Sequence, residues 1–267
     1  MKFAERILRT FRHQSIDQIV WQPRIMYWYN HTVRPTKKET YDKVKQFMPS
    51  EYIGKEITQI YDDLRASIRY PAESLGLPVF YSQENKDSQI TRRGASLPDG
   101  SHILEIKTPF GTLTEKSRNG YPFEHLVKKV EDLKAMEHIV SQSSYHFNEL
   151  MYEGAEEALE DYGLPCSYYF RSPYMRCVLE YLGFEKTVIM LRRHPREMEQ
   201  FMNFLDDWDR KQYQNAILPS KLKWLNFGEN IDANLSPPRY FEKYLVPYYE
   251  DRLKWIHKEG KIAFIHV

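Results

Sequence analysis

The chain has 267 residues, 42% of them apolar, so it is long and hydrophobic enough to bury a sizeable core. Its 38 basic residues nearly cancel its 37 acidic ones, which argues against nucleic acid or an anionic membrane surface as a partner. Two cysteines are too few for a disulfide framework, and no apolar stretch is long enough to cross a bilayer, so the sequence predicts a cytoplasmic protein.

The N-terminal part is predicted to begin with a helix and a strand. Apolar residues share one helical face in residues 3–12, and IDQIVWQP, residues 16–23, predicts a short strand that ends at proline. A second strand or turn is expected at 64–70. A dense aromatic patch comprises Trp21, Tyr27, Trp28 and Tyr29. Flat rings suit a flat ligand, although such rings more often pack a core.

The middle of the chain predicts a loop followed by antiparallel strands. Residues 82–100 have few apolar anchors, which is typical of an exposed loop. Residues 102–127 alternate apolar and polar positions around a Pro-Phe-Gly turn and a turn at Asn119 and Gly120, which predicts an antiparallel meander. We interpret residues 82–128 as an accessory loop and meander within a single domain of residues 1–267.

The C-terminal half alternates predicted helices and strands. Helices are expected from Glu131 onward and at 147–162, 195–213 and 238–258, and strands at CSYYF (166–170), KLKWLNFG (221–228) and KIAFIHV (261–267). No hairpin-length link joins these last strands. Parallel strands with helical crossovers are therefore the expected arrangement, which gives an α/β fold.

Five polar residues follow the predicted strands: Arg24, Arg171, Glu229, Asp232 and His266. Because ligand sites in parallel α/β folds form at the carboxyl ends of strands, these residues are the candidates for a site. Glu229 and Asp232 follow Gly228, and paired carboxylates can perform acid/base chemistry or bind a cation. The alternative is that Asp232 caps a turn while Glu229 pairs with an arginine.

The remaining candidates also have two interpretations. Arg24 and Arg171 suit bidentate binding of a carboxylate, or else form ion pairs at the rim of the fold. His266 suits a metal ligand or general base, although it has no companion Cys or His at short spacing. The chain contains no GxGxxG, GxxxxGK[ST] or GxSxG motif, which argues against nucleotide binding by those loops and against a serine-hydrolase elbow.

Several segments resemble the uroporphyrinogen decarboxylase superfamily, a group of (β/α)8 TIM barrels that includes corrinoid-dependent methyltransferases. The resemblance is carried by ERILRTFRHQSIDQIVWQP, YPAESLGLPVF, TPFGTLTEK, YPFEHLVKKVEDLKAMEHI and NFGENIDANLSPPRYFEKYLVPYYEDRLKWIHKEGKIAFIHV. It implies that the strands near Trp21, Leu64, Ser167, Leu225 and Phe264 are the first five of eight. The expected fold is thus an incomplete TIM barrel with an N-terminal helical and aromatic insertion and the antiparallel meander, from a fragment or a truncated paralogue.

The methyltransferase branch of this superfamily uses a zinc site of the His-x-Cys type, and FIHV puts His266 at the matching place. The resemblance therefore implies zinc-assisted methyl transfer to or from a corrinoid carried by a partner protein. The other zinc ligands would lie outside this chain, and Glu229 and Arg24 would line the substrate pocket, beside Trp21, Arg171 and Asp232.

Two alternatives stay open. In uroporphyrinogen decarboxylases an Arg-Gln-Ala-Gly-Arg segment follows the first strand, whereas this chain reads WQPRIMYWY with Arg24 as the single arginine. The catalytic aspartate of those enzymes would match Asp62 or Asp63, and decarboxylation would need no metal. The third hypothesis is a catalytically silent partner of a corrinoid protein, and a homo-oligomer is compatible with any of the three.

Overall fold

The computed structural model describes residues 1–23, 25, 28–29, 45–68 and 78–266. The chain divides into two compact units. The first comprises Met1–Val79, Asn148–Ser167 and Lys221–Trp224, and the second comprises Phe80–Phe147, Tyr168–Ser220 and Leu225–Val267. We describe each unit by itself.

The described helices agree well with the apolar periodicity of the sequence. The α-helices are α1 (Phe3–Phe11), α2 (Ile57–Asp63), α3 (Asp132–Ser141), α4 (Glu149–Leu159), α5 (Pro173–Arg176), α6 (Phe184–Arg193), α7 (Pro195–Gln212), α8 (Pro238–Tyr240) and α9 (Val246–Lys258). Short 3₁₀ turns occur at Lys45–Phe47 and Ser50–Tyr52, and π-helical turns at Cys177–Tyr181, Tyr213–Ile217 and Phe241–Leu245. The helix predicted at residues 238–258 is interrupted by the last π-helical turn, directly before α9 and close to Pro247. No helix of the described residues has the length and apolarity required to cross a membrane.

The strands are β1 (Phe80–Glu84), β2 (Thr91–Ser96), β3 (His102–Thr108), β4 (Gly111–Arg118), β5 (Tyr121–Glu124), β6 (Ser143–Phe147), β7 (Cys166–Tyr169), β8 (Trp224–Phe227) and β9 (Ile262–Ile265). They form an antiparallel β1-β6 pair, an antiparallel sheet of order β2-β3-β4-β5 and a three-stranded sheet of order β7-β8-β9. The fold is therefore mixed α/β. Within the described residues these sheets do not join into a closed barrel.

Hydrogen bonds around His266 give the direction of β9 relative to β8. The His266 amide donates to the Phe227 carbonyl at 2.8 Å, and the His266 carbonyl accepts from the Asn230 amide at 3.0 Å. In parallel strands, the N–H of a residue bonds to one residue of the neighbouring strand and its C=O bonds to another residue further along that strand. His266 shows this arrangement with Phe227 and Asn230. The prediction of parallel strands with a helical crossover is confirmed for this pair, since α8 and α9 lie between them.

The core of the first unit is an apolar cluster around α2. Its buried members are Tyr29, Ile57, Ile60, Tyr61, Ala66, Ile68 and Leu159. Trp28 packs against this cluster, whereas Trp21 remains 50% exposed. Part of the predicted aromatic patch therefore packs a core, and Tyr27 lies outside the described residues.

The second unit is packed largely by aromatic rings. The Phe80 ring stacks on Tyr145 with centroids 5.3 Å apart and contacts Tyr169 edge to face at 5.4 Å. Phe227 contacts Tyr249 at 4.9 Å in the same edge-to-face manner. Rings bury large apolar areas and prefer such stacked and T-shaped geometries, which accounts for the high aromatic content of the chain.

The strand predicted at residues 16–23 is wrong, and of the strand or turn predicted at residues 64–70 the described part contains a turn at Leu64 and Arg65. Residues 16–23 and 64–68, both fully described, form no strand, and residues 69–70 lie outside the described residues. Instead of a ladder, single hydrogen bonds join the two segments: the Ser67 amide donates to the Trp21 carbonyl at 2.9 Å, and the Gln22 side chain donates to the Ile68 carbonyl at 3.3 Å. An apolar run forms a strand only where a neighbouring strand supplies hydrogen-bond partners for its backbone N–H and C=O groups.

The predicted loop at residues 82–100 is also wrong in part, because it contains most of β1 and all of β2. Every residue of β2 is exposed, so the strand carries no apolar alternation that a sequence pattern could reveal. The meander itself is confirmed. Asn119 and Gly120 at its second turn both have positive φ, as a two-residue hairpin turn requires, and Pro122 lies on the outer strand β5.

Candidate functional site

Three of the predicted site residues lie at one edge of the β7-β8-β9 sheet. Arg171 follows β7, Glu229 follows β8 and His266 follows β9. The Ser172 amide donates to the Glu229 carboxylate, and the His266 backbone bonds to Phe227 and Asn230 on either side of Glu229. The carboxyl ends of the three strands therefore meet at Glu229, as expected for neighbouring strands of such a sheet.

Glu229 is fully buried and held by neutral donors. The Ser172 amide and the Tyr249 hydroxyl both donate to Oε1, and the Ser172 hydroxyl lies 3.4 Å from Oε2. Glu229 thus ties the β8 exit to the turn after β7 and to α9. Arg171 is close enough to lower the pKa of Glu229 electrostatically, but the hydrogen bonds come from a serine and a tyrosine rather than from an arginine.

Local features of the sequence position these groups. Ser172 is the N-cap of α5, where its hydroxyl accepts from the Met175 amide at 3.4 Å, and Pro173 occupies the first helical position. Gly228 lets the chain pass Tyr168 closely, because a Cβ on this residue would lie only 2.9 Å from the Tyr168 Cδ1 atom. The Ser-Pro pair and the glycine thus bring the β7 and β8 exits together.

Burial dominates the electrostatics of Glu229. Desolvation raises the pKa of the Glu229 carboxyl, while hydrogen bonds from Tyr249 and Ser172 and the charge of Arg171 oppose that rise. Desolvation, followed by the charge of Glu229, also raises the pKa of the Tyr249 hydroxyl well above its usual value. The pair therefore retains its protons to higher pH than the same groups do in water.

A cavity of about 300 Å³ lies beside Arg171. Arg171 pairs with Glu180, with Nη1 2.6 Å from Oε1, and both side chains line the cavity together with Arg176 and several aromatic rings. The ion pair that the sequence offered as one interpretation of Arg171 is thus present, with Glu180 as its partner. Its buried Nε atom has no hydrogen-bond partner among the described residues.

Arg176 connects this cavity to a buried polar cluster. Its Nη2 donates to Asp209 Oδ2 at 2.7 Å, and the same oxygen accepts from the Tyr248 hydroxyl at 2.9 Å. Burial raises the pKa of Asp209 to about 6, although the charges of Arg176 and Arg252 oppose this rise. Arg252 is fully buried and its guanidinium carbon lies 4.0 Å from the Tyr248 ring centroid, a cation–π contact.

His266 is half-buried at the end of β9. No cluster of three or more His, Cys, Asp or Glu side chains within the described residues could hold a metal ion. A zinc site needs three or four protein ligands, and the sequence-based prediction places the ligands other than His266 outside this chain. His266 as a metal ligand stays a prediction.

Asp232 occupies an exposed turn beyond Glu229. Its Oδ1 accepts from the Asn234 amide at 2.7 Å, and this backbone hydrogen bond is the largest cause of its lowered pKa. The structure thus shows the turn-capping contact that the sequence offered as the alternative to a role in binding.

The other predicted residues do not join this edge within the second unit. Trp21, Asp62 and Asp63 belong to the first unit, where Asp62 Oδ2 accepts from the Tyr162 hydroxyl at 2.6 Å and Asp63 pairs with Lys55. Both aspartates are exposed. Arg24 lies outside the described residues.

Four residues of this site were missed in the sequence: Ser172, Arg176, Asp209 and Tyr249. Ser172 had a local signal, since Ser-Pro at a strand exit is typical of a helix N-cap. Asp209 and Tyr249 lie within long amphipathic helices, where a polar residue on the buried face cannot be recognised without its partner.

Comparison with known proteins gives no further assignment. No protein-family model matches the chain, and no curated protein matches it significantly.

Proposed function

We propose that this chain is a small-molecule enzyme similar to the uroporphyrinogen decarboxylase superfamily and that it transfers a methyl group between a small donor and a corrinoid. The observation that carries the proposal is that Arg171, Glu229 and His266 share the carboxyl edge of the β7-β8-β9 sheet. This edge is where ligands bind in parallel α/β folds. A (β/α)8-type barrel, incomplete in this chain, is the fold that goes with this proposal, and β7, β8 and β9 would be three of its strands.

In this proposal the residues of the edge bind and orient the small-molecule substrate. Arg171 faces the cavity and supplies a fixed positive charge. Glu229 is fully buried and does not line that cavity, so it acts as a positioning residue that holds the Ser172 turn and Tyr249 in place. The corrinoid is a co-substrate, carried by a partner protein, that accepts or donates the methyl group.

Zinc has no step in this proposal. The resemblance implies zinc at His266, but the described residues do not supply the remaining ligands. We therefore assign His266 to the edge of the site and derive no zinc-dependent chemistry from it.

The proposal is tested by incubating the purified chain with reduced cobalamin and either methyl ethers or methylamines, and by following methylcobalamin formation by visible absorbance. We expect methylcobalamin with at least one donor class. Arg171→Gln should lower kcat/KM at least tenfold, which corresponds to about 1.4 kcal/mol of transition-state stabilisation. Arg118→Gln, at an exposed arginine of β4 that does not line the cavity, is the matched control and should stay within about twofold of the wild type.

The same preparation separates the alternatives. Release of carbon dioxide from uroporphyrinogen, with no methylcobalamin from either donor class, would replace methyl transfer by decarboxylation. Absence of both products would contradict an enzymatic role and favour the silent partner, which retention of a corrinoid protein in a pull-down would then support.

A further inference from the structure

A second pocket of the second unit lies beside the β1-β6 pair, and we call it the Asn215 pocket. Its volume is about 310 Å³, at the small end of the range for ligand pockets. The π-helical turn Tyr213–Ile217 supplies part of its wall, and single π-helical turns occur frequently at functional sites. The lining residues are Tyr81, Tyr145, His146, Phe147, Asn215, Ala216, Pro219 and Ser220.

The Asn215 pocket forms where one edge of β6 faces the end of α7. Strand β1 pairs with the opposite edge of β6. Two side chains of α7 cover the start of the edge that faces the helix. The Trp208 Nε1 donates to the Ser143 carbonyl at 3.1 Å, and Gln212 Oε1 accepts from the Tyr145 amide at 2.9 Å. Helix α7 ends at Gln212, and the pocket lies beyond this end, between the π-helical turn and the last residues of β6.

Two rings of the pocket lining offer a stacking surface. Tyr81 and His146 are directly opposite each other in the β1-β6 ladder, and their rings stack with centroids 5.3 Å apart and planes 25° from parallel. Tyr81 is 45% exposed, so part of its ring is accessible to a ligand. Aromatic side chains of this kind stack on any flat heterocycle, because every nucleobase has a π-face.

The lining of the Asn215 pocket is polar but contains no Asp, Glu, Lys or Arg among the described residues. It therefore favours an uncharged ligand over a carboxylate or a phosphate. Asn215 is exposed, and its side-chain amide has no hydrogen-bond partner within the described part of the chain. An asparagine amide presents a donor and an acceptor side by side, the pair that matches the N6 amino group and the N7 atom of adenine.

We propose that the Asn215 pocket binds an uncharged nucleobase of the adenine type. The base stacks on the Tyr81 ring, its N6 amino group donates to the Asn215 side-chain oxygen, and its N7 accepts from the Asn215 side-chain nitrogen. The site goes beyond the proposed methyl transfer, because it uses none of Arg171, Glu229 and His266.

The test is isothermal titration calorimetry of the whole chain with adenine and with 7-deazaadenine, which has the same shape but carries a carbon atom in place of N7. We expect adenine to bind at least tenfold more tightly. Adenosine and adenosine monophosphate show whether the base is bound free or as part of a larger molecule. The monophosphate should bind no more tightly than adenosine, and a tenfold preference for it would overturn the assignment of an uncharged ligand.

Variants at exposed positions test the two contacts separately. Asn215→Leu should weaken adenine binding at least tenfold and abolish the preference over 7-deazaadenine. Tyr81→Leu should weaken the binding of both bases by the same factor. Gln214→Leu is the matched control, because Gln214 is an exposed residue of the same turn that does not line the pocket, and it should bind adenine as the wild type does.

Near-ultraviolet circular dichroism checks that each variant is folded. No binding of adenine at millimolar concentration, equal affinities of the wild type for adenine and 7-deazaadenine, or wild-type affinity in Asn215→Leu would each overturn the proposal. None of these results affects methylcobalamin formation, so failure of this site and failure of the proposed function can be told apart.

Discussion

At the scale of single residues, Glu229 is unusual because it is a buried carboxyl held by neutral donors. Ser172 and Tyr249 satisfy its oxygen atoms, but neither offsets the cost of removing a charge from water as a bound cation would. The carboxyl is therefore easier to protonate in the folded chain than in the unfolded chain. Its protonation should be visible in the stability of the protein.

We predict that Glu229 makes the folded state less stable as the pH rises. The pKa of Glu229 is raised by folding, so its contribution is fully present below the ordinary glutamate pKa and is lost as the pH rises through the folded-state pKa. The free energy of unfolding should fall by about 1.4 kcal/mol for each unit of that rise. Glu229→Gln removes this group and should flatten the profile over the same interval, as measured by urea denaturation from pH 4 upward.

Glu242→Gln is the control for this measurement, since it removes an exposed glutamate of the same unit. It should follow the wild-type profile. A Glu229→Gln profile that falls with pH as steeply as the wild type would show that another group is responsible.

The positions of Arg171, Glu229 and His266 could be predicted from the sequence because strand ends can be recognised locally, and parallel strands bring their ends to one edge. The partners of Glu229 could not. Tyr249 is separated from Glu229 by a turn, by α8 and by a π-helical turn, and it lies in the first turn of α9, so its contact depends on how α9 packs against β8. Local patterns do not encode that packing.

At the scale of secondary-structure elements, the β8 exit depends on the missing side chain of Gly228. A methyl group at this position would lie 2.9 Å from Tyr168 Cδ1 and 3.3 Å from Cε1, closer than normal van der Waals contact. The ring of Tyr168 also lines the cavity, so it cannot move without changing the wall.

We expect Gly228→Ala to destabilise the chain by about 1–3 kcal/mol, the usual cost of forcing an added methyl group into a packed site. Gly94→Ala on β2 is the matched control, because its nearest neighbour would be the Ile103 carbonyl at 3.9 Å. The control should change stability by less than about 1 kcal/mol. The free energy of unfolding of both variants is measured by thermal and urea denaturation. If Gly228→Ala is as stable as Gly94→Ala, the Tyr168 ring can move aside without destabilising the fold.

Helices and strands could be predicted where one face is buried, because apolar residues then recur at the spacing of that face. In α7 the buried face carries Met198, Phe201, Met202 and Leu205. A strand could not be predicted where only its backbone hydrogen bonds to a neighbouring strand define it. The exposed strand β2 is held by its ladder with β3, in which Arg92 is opposite Ile106. The interpretation of residues 16–23 as a strand was wrong for the converse reason, because Ile19 is 83% exposed and the segment has no ladder.

At the scale of the whole molecule, both cysteines are reduced thiols inside the fold. Cys177 is fully buried, and burial raises its pKa to about 12. Cys166 is 3% exposed. Because the thiolate is the reactive form, neither side chain should react while the chain is folded.

We therefore predict that the native protein does not react with Ellman's reagent at pH 8 over minutes and that both thiols react promptly in guanidinium chloride. The absorbance of the released thionitrobenzoate counts the thiols. Rapid modification of one thiol under native conditions would show that the region around that cysteine opens without global unfolding.

The α/β class of the molecule followed from the alternation of helices and strands, and the sheet order β7-β8-β9 agrees with it. A closed barrel cannot be inferred from the sequence in the same way, because closure depends on contacts among strands that are distant in sequence. The reaction is harder still to predict from the sequence, since proteins with the same barrel fold catalyse many reactions through different loops.

The outer strands of the meander carry residues that discourage further pairing. Strand β2 presents Arg92 and Arg93 at one margin of the sheet, and Pro122 interrupts the donors of β5 at the other. Charge and proline at these positions block the addition of a strand from another molecule. The four-stranded sheet should consequently resist intermolecular stacking in concentrated solution, which guards this exposed part of the polypeptide against fibril growth.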